Sequence, residues 1–273
     1  MSDARTIYLP QDVDTPAGTR RVGNASLLYT SARSQEALEA DLPNEDFLGF
    51  RYDERRLAFA LCDGVGQSFH SELAARFLGM RLVDWLWSLP DGPAQAADQH
   101  AATLFKLLGE WVAPGKQLVA DYPTPDALPA LHRRALTRKR EAGSACVFLC
   151  GRIEFAPEDA GCVIFWLGNP RIRFWDAPTD ARLSAEAFDS RQQWSAAKGP
   201  VNTERVYHLA VPSLAGSRVS QITAYTDGIG EQAGALRDLS PARLDGLIHD
   251  LRERPGSDDI SVLDIQIETP KHG

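Results

Sequence analysis

LAFALCDGVGQS, Leu57 to Ser68, opens as a buried strand and then breaks its own pattern. Its first six residues are apolar or small, and Asp63-Gly64 follows directly. A carboxylate therefore stands where the strand leaves the core, a place where an ionised group is costly unless something compensates it. Asp-Gly by itself is a common turn. The reading of Asp63 depends on its company.

Other acids flank apolar runs in the same way. They are Glu45 and Asp46 in PNEDFLGF, Asp227 in YTDGIG and Asp258 in GSDDISV. If the strand ends converge, these side chains meet at one edge of the molecule. Carboxylates about 4 Å apart repel by around 4 kcal/mol at an effective dielectric of about 20. No Lys or Arg adjoins them at matching strand ends, so divalent cations are the natural counter-charge. An all-oxygen ligand set selects hard ions, Mg²⁺ or Mn²⁺. Gly64 suits such a site, because a residue without Cβ lets a backbone carbonyl approach an ion.

Around these acids the chain alternates between strand-like and helical segments. Ser26–Ala32, Leu57–Cys62, Ser144–Phe155, Cys162–Gly168, Arg171–Asp176, Val219–Thr226 and Asp259–Ile267 are short and rich in β-branched and aromatic residues, which predicts strands. APEDAG before Cys162 and GNP before Arg171 read as hairpin connections, hence antiparallel pairing. From Ser71, the spacing of Leu73, Phe77 and Met80, with Ala74, Leu78 and Trp85 beside them, predicts a helix that Pro90 and Gly92 stop. A second helix is expected over Ala94–Val112, ending at Pro114-Gly115, and the two form an antiparallel hairpin. A Pro-punctuated linker, Asp121–Pro129, leads to a short basic helix, and Ser240-Pro241 caps a late one. That order predicts an α+β fold on antiparallel sheets. It shows no internal repeat and no domain boundary, so residues 1–273 read as one domain with an irregular insertion over Ala177–Ser217.

Composition narrows the function. The 273 residues are 44% hydrophobic and 24% charged, with a formal net charge of −8. That balance argues against a sequence-independent nucleic-acid surface or an anionic-membrane surface. Two divalent ions would halve the negative charge. The N-terminus has no apolar core of signal-peptide length, and no apolar run is long enough to cross a bilayer. The expected location is cytoplasmic. Cys62, Cys146, Cys150 and Cys162 lie in apolar runs without zinc-ligand spacing, which predicts reduced core thiols.

NED, LAFALCDGVG, CVIFWLGNPRI, AYTDGIG and SDDISVLDI, in this order from about Ser26 to Ile267, resemble the motifs of the metal-dependent serine/threonine protein phosphatases of the PP2C (PPM) family, compact bacterial type. The resemblance implies a four-layer α-β-β-α sandwich: two antiparallel sheets flanked by paired helices. It implies two Mn²⁺ or Mg²⁺ ions at one end, and water activated by both ions to displace phosphate from phosphoserine or phosphothreonine. By position, Asp63 matches the carboxylate bridging both ions. Glu45 and the Gly64 carbonyl match ligands of one ion, and Asp227 and Asp258 ligands of the other. Asp46 matches an acid that orients the water. The implied partner is a phosphorylated protein, the target of a Ser/Thr kinase or the kinase itself, with no nucleic acid and no membrane.

Departures from the family pattern point to an alternative, a catalytically impaired phosphatase-like regulatory or scaffolding module. Asp41 stands where many members carry a phosphate-gripping arginine, leaving Arg33, Arg51 or Arg171 to bind phosphate. Asn169 replaces an acid associated with a third metal, so that site is expected to be weak. Val65 follows Asp63-Gly64 and cannot donate a proton, and His70 reads as the start of a helix. The basic run RRALTRKR, Arg133–Arg140, reads as a solvated helix face or as a surface for phosphopeptides or an acidic partner. Trp85, Trp87 and Trp111 read as core anchors.

Overall fold

The structure is a computed structural model, and it describes residues 3–124, 129–155, 160–176, 188–189, 191–214 and 216–268. Among these, thirteen strands form two antiparallel sheets. In chain order they are β1 (Arg5–Tyr8), β2 (Thr15–Val22), β3 (Ala25–Ala32), β4 (Phe47–Tyr52), β5 (Arg56–Gly64), β6 (Ala145–Glu154), β7 (Gly161–Leu167), β8 (Arg171–Trp175), β9 (Gln193–Ser195), β10 (Gly199–Val201), β11 (Tyr207–Val211), β12 (Gln221–Tyr225) and β13 (Ile260–Ile267). The larger sheet runs β1-β4-β5-β6-β7-β11, with β9 also on β6 and β10 on β9. The smaller runs β2-β3-β13-β12-β8.

Side-chain alternation explains the stacking. Along β5, Leu57, Phe59 and Leu61 enter the core between the sheets. Ala58, Ala60 and Cys62 enter a second core, beneath α2 (Ser71–Ser88), α3 (Ala97–Glu110) and α4 (Val112–Asp121). The outer face of the smaller sheet packs Leu28, Tyr225 and Val262 against α6 (Pro241–Arg252) and a 3-10 segment, Asp227–Leu236. The order α-β-β-α is the one expected. On the smaller sheet, however, one α-helix and the 3-10 segment stand where a helix pair was expected.

Four local expectations are corrected. GNP does not close a hairpin, because β7 belongs to the larger sheet and β8 to the smaller, where β8 pairs with β12. The helix expected to end at Pro114-Gly115 breaks earlier, at Trp111, and α4 runs through both residues. Pro114 lies in the first turn of α4, where backbone N–H groups have no intrahelical partner to lose. The buried face of α2 is Ala74, Ala75, Leu78, Leu82, Val83 and Leu86, while Leu73, Phe77, Met80 and Trp85 lie at its margins. Finally, the segment read as irregular contributes β9, β10 and β11, and fully buried Trp194 donates to the Leu108 carbonyl at 2.9 Å. Residues 177–187, 190 and 215 of it lie outside the described residues.

The four cysteines are buried free thiols, as expected. Arg152 is a core feature that composition conceals. Fully buried on β6, it donates to Glu154 at 2.7 Å, Asp91 at 3.0 Å and the Leu86 and Leu89 carbonyls at the C-terminal end of α2. A cation there meets carbonyls of the last turn and the negative end of the helix dipole.

Candidate functional site

The stripe that faces the opposite sheet is apolar along most of its length and polar at one end. Continuing the alternation of β5 past Leu61 brings Asp63 to that inner face, and β4 does the same for Asp46 before Leu48 and Phe50. From the smaller sheet come Ser31, Thr226, Ser261 and Asp259, in phase with Tyr29, Ala224, Leu263 and Ile265. Hydrogen bonds tie this end across the sheets. Thr226 Oγ1 donates to Asp46 Oδ2 at 2.8 Å, and Asn44 Nδ2 to Ser31 Oγ at 3.1 Å. Asp259 accepts from the Ser34 and Glu45 backbone N–H groups, both at 2.6 Å. Buried Gln11 straps the turn before β4 by donating to the Asn44 and Asp46 carbonyls.

Charge accumulates here without compensation. Burial pushes the Asp63 carboxyl well above the usual range; Asp227 and Asp258 add repulsion, Asp63 shares a hydrogen bond with Asp227, and Glu45 adds further charge. Burial also raises Asp46, and Asp63 and Asp259 reinforce it against the Thr226 hydrogen bond. Glu45 is raised by burial and then by Asp259, Glu72 and Asp258. Asp258 is raised by burial and by Asp227 and Asp259. Asp259 is raised by burial despite its two N–H donors. Glu45, Asp63, Asp227 and Asp258, spread over more than 200 positions of sequence, thus feel one another directly. Among the described residues, no Lys, Arg or His forms an ion pair with any of them.

Two glycines let the turns approach. A Cβ at Gly64 would stand 2.7 Å from the Glu45 carbonyl oxygen and 2.8 Å from Ser71 Cβ, and one at Gly228 would collide with the Asp259 carbonyl. The Asp63-Gly64 turn is therefore packed on Glu45, and the Asp227-Gly228 turn on Asp259.

Among the described residues, no group of three or more His, Cys, Asp or Glu side chains is arranged to hold a metal ion. Several carboxylates are instead engaged by neutral donors: Asp227 accepts from Asn169 Nδ2 at 2.7 Å, Asp46 from Thr226 and Asp259 from two backbone N–H groups. The donor set nevertheless suits a hard divalent cation, since it is all oxygen, crowded, partly buried and unneutralised.

The three candidate arginines separate clearly. Arg33 is committed to Asp14, with Nε 3.0 Å from Oδ1, and Asp14 is shared with Arg252 at 2.7 Å. Arg51 lies five residues along β4 from Asp46, over the Trp87 ring and 3.9 Å from Asp84. Arg171 begins β8 opposite Tyr225, two residues from Asp227, and its guanidinium stacks on Phe188 at 4.7 Å. Asp41 is exposed behind α1 (Gln35–Glu39). His70 precedes α2, 3.0 Å from Glu72 and against the Tyr122 ring. Sequence reasoning passed over Asn44, Thr226, Asp259 and Gln11. Three of these adjoin the motif acids, and strand parity was the signal that could have drawn them in.

No protein-family model matches the sequence, and no curated protein does. Solved structures resemble it. A serine-threonine phosphatase 2C from Toxoplasma gondii is 12% identical with a TM-score of 0.59, over 97% of this chain and 99% of that one. RsbX, solved in complex with magnesium, is 13% identical with a TM-score of 0.51, over 92% of this chain and 100% of that one. A bacterial serine phosphatase is 12% identical with a TM-score of 0.50, over 99% of this chain and 100% of that one. At such identities the likeness is one of fold: this chain has the fold of the PP2C-type serine/threonine phosphatases.

Proposed function

We propose that the chain, as one domain, is a metal-dependent phosphoprotein phosphatase acting on phosphoserine and phosphothreonine. The observation that carries this reading is the set of crowded, mutually repelling carboxylates at the polar end of the sandwich, half-buried at Glu45 and Asp63 and open to solvent at Asp227 and Asp258, with no basic partner among the described residues. Glu45, Asp63, the Gly64 carbonyl, Asp227 and Asp258 are the groups that would hold two Mn²⁺ or Mg²⁺ ions. When bound, such ions neutralise phosphate charge and acidify water at neutral pH.

The chain's own residues supply the rest. Asp46, fixed by Thr226 and by the Gln11 strap, is the acid that would orient water at the site. Arg171 brings positive charge to the start of β8 and is the best placed of the three arginines to meet a phosphate. The four cysteines are buried free thiols, away from any phosphate in solution, so the proposed reaction uses none of them.

A second reading, the impaired regulatory module, draws support from Asn169 occupying Asp227 and from Asp14 holding Arg33. Assays on p-nitrophenyl phosphate and a phosphothreonine peptide with Mn²⁺ separate the two. Turnover that needs the ion and disappears in Asp63→Asn supports the phosphatase. A thermal shift with Mn²⁺ and no turnover of either substrate supports the module.

A further inference from the structure

Helix α5 (Ala130–Ala142) carries five Lys or Arg residues on a chain of net charge −8, and none of its residues is buried. Leu136 and Arg140, four apart, form its inner edge. Leu136 touches the core under the helices, and Arg140 stacks on Phe69 and donates to the Tyr122 carbonyl at 2.6 Å. On a 3.6-residue period Arg134 and Arg138 point away from that edge, and both are exposed with Lys139. A short helix with little buried surface and like charges four apart has weak intrinsic stability. Its sequence is better explained by what it meets in solution than by what it packs on.

Its position supplies the second part of the argument. The Gly143 carbonyl, one residue past α5, accepts from the Phe69 N–H, and the Ala145 carbonyl accepts from the Val65 N–H. Val147 on β6 stands opposite Asp63. The basic helix therefore ends five residues before Val147, the residue opposite Asp63, roughly 17 Å at strand spacing. An extended peptide covers that distance with about five residues.

We propose that α5 is a docking surface for the acidic flank of a phosphorylated peptide whose phosphate reaches the carboxylate end of the sandwich. This deepens the phosphatase reading and rests on it. The surface selects by charge: Arg134, Arg138 and Lys139, three to eight residues back from the end of α5, attract Asp, Glu or phosphate groups five or more residues from the phosphate at the site, at long range and in a salt-dependent way.

The test is a charge-reversed chain, Arg134→Glu/Arg138→Glu/Lys139→Glu, with neutralised Arg134→Gln/Arg138→Gln/Lys139→Gln to guard against misfolding. Two labelled phosphothreonine peptides, one with an acidic flank and one with a neutral flank, are read by fluorescence anisotropy and by kcat/KM. Reversal is expected to weaken acidic-peptide binding at least about tenfold, with a smaller loss on neutralisation, no change for the neutral peptide and an effect that fades with salt. Turnover of p-nitrophenyl phosphate is expected to stay within twofold of the parent. Acidic-peptide binding that survives reversal overturns the docking surface. So does equal, reversal-sensitive binding of a single-stranded oligonucleotide, which would show a general polyanion site. Absence of turnover in the parent instead removes the phosphatase reading, while anisotropy still decides whether α5 binds the peptide.

Discussion

Thr226 Oγ1 and Asp46 Oδ2, 2.8 Å apart, join the two sheets at their polar end. The same oxygen of Thr226 accepts from the Ser261 N–H at 2.9 Å, so one hydroxyl satisfies a buried acid and a buried amide at once. Asp46, the buried acid at the cluster's edge, is thus fastened between the sheets.

Thr226→Val keeps the shape and deletes both interactions. An unsatisfied buried group costs about 1–3 kcal/mol, so unfolding in urea is expected to show a loss of that order. Thr226→Ser should recover most of it. A valine variant as stable as the parent would mean that Asp46 is held by other groups.

The cluster sets a pH dependence with a definite sign. Glu45, Asp46, Asp63, Asp258 and Asp259 all have raised pKa values when folded. Above about pH 4, the ordinary carboxylate range, the folded chain therefore binds more protons than the unfolded one, and stability falls as pH rises. This contribution is complete below that range and is lost as pH climbs through the raised values. Asp14, whose pKa is lowered by Arg33 and Arg252 against its burial, acts oppositely and at lower pH. The melting temperature without divalent cations is expected to decline from pH 5 to pH 8, with a shallower decline in Asp63→Asn. Added MnCl₂ should restore it by an increment that grows with pH.

Asn169→Asp replaces a 2.7 Å hydrogen bond to Asp227 by two facing carboxylates. Without divalent cations, calorimetry should show a loss of about 0.5–1 kcal/mol, the scale of an exposed charge pair. With Mn²⁺ the variant is expected to gain affinity or a further bound ion in titration calorimetry. Titration identical to the parent would place residue 169 outside the cation field.

Arg152→Met leaves Glu154 and the end of α2 without their buried cation, and a broken buried pair costs about 3–5 kcal/mol. Urea midpoints should fall accordingly. Adding Glu154→Gln to the methionine variant should return part of the loss, because the unpaired charge goes with it.

Strands β3, β5, β6, β7, β12 and β13 were legible because each is a compact apolar run, and the motif acids were legible because they interrupt such runs. Edge strand β2 was hidden by Pro16 and Gly18, tolerated where one side of the ladder is free. Strand β4 was obscured by Gly49 and Arg51, and β9 and β10 by their three-residue length. GNP read as a hairpin because sequence shows that a chain turns, not which sheet it enters. The roles of Thr226, Asn44 and Asp259 depend on the inner face of one sheet meeting that of the other, a relation that no single segment contains.

Cys62 immediately precedes Asp63 and lies wholly within the core, with its thiol held protonated by burial. Peroxide attacks thiolates that solvent can reach, and Cys62 offers neither condition. The strand that carries the central acid is therefore expected to keep its register when the chain is exposed to oxidant, since its cysteine is out of peroxide's reach.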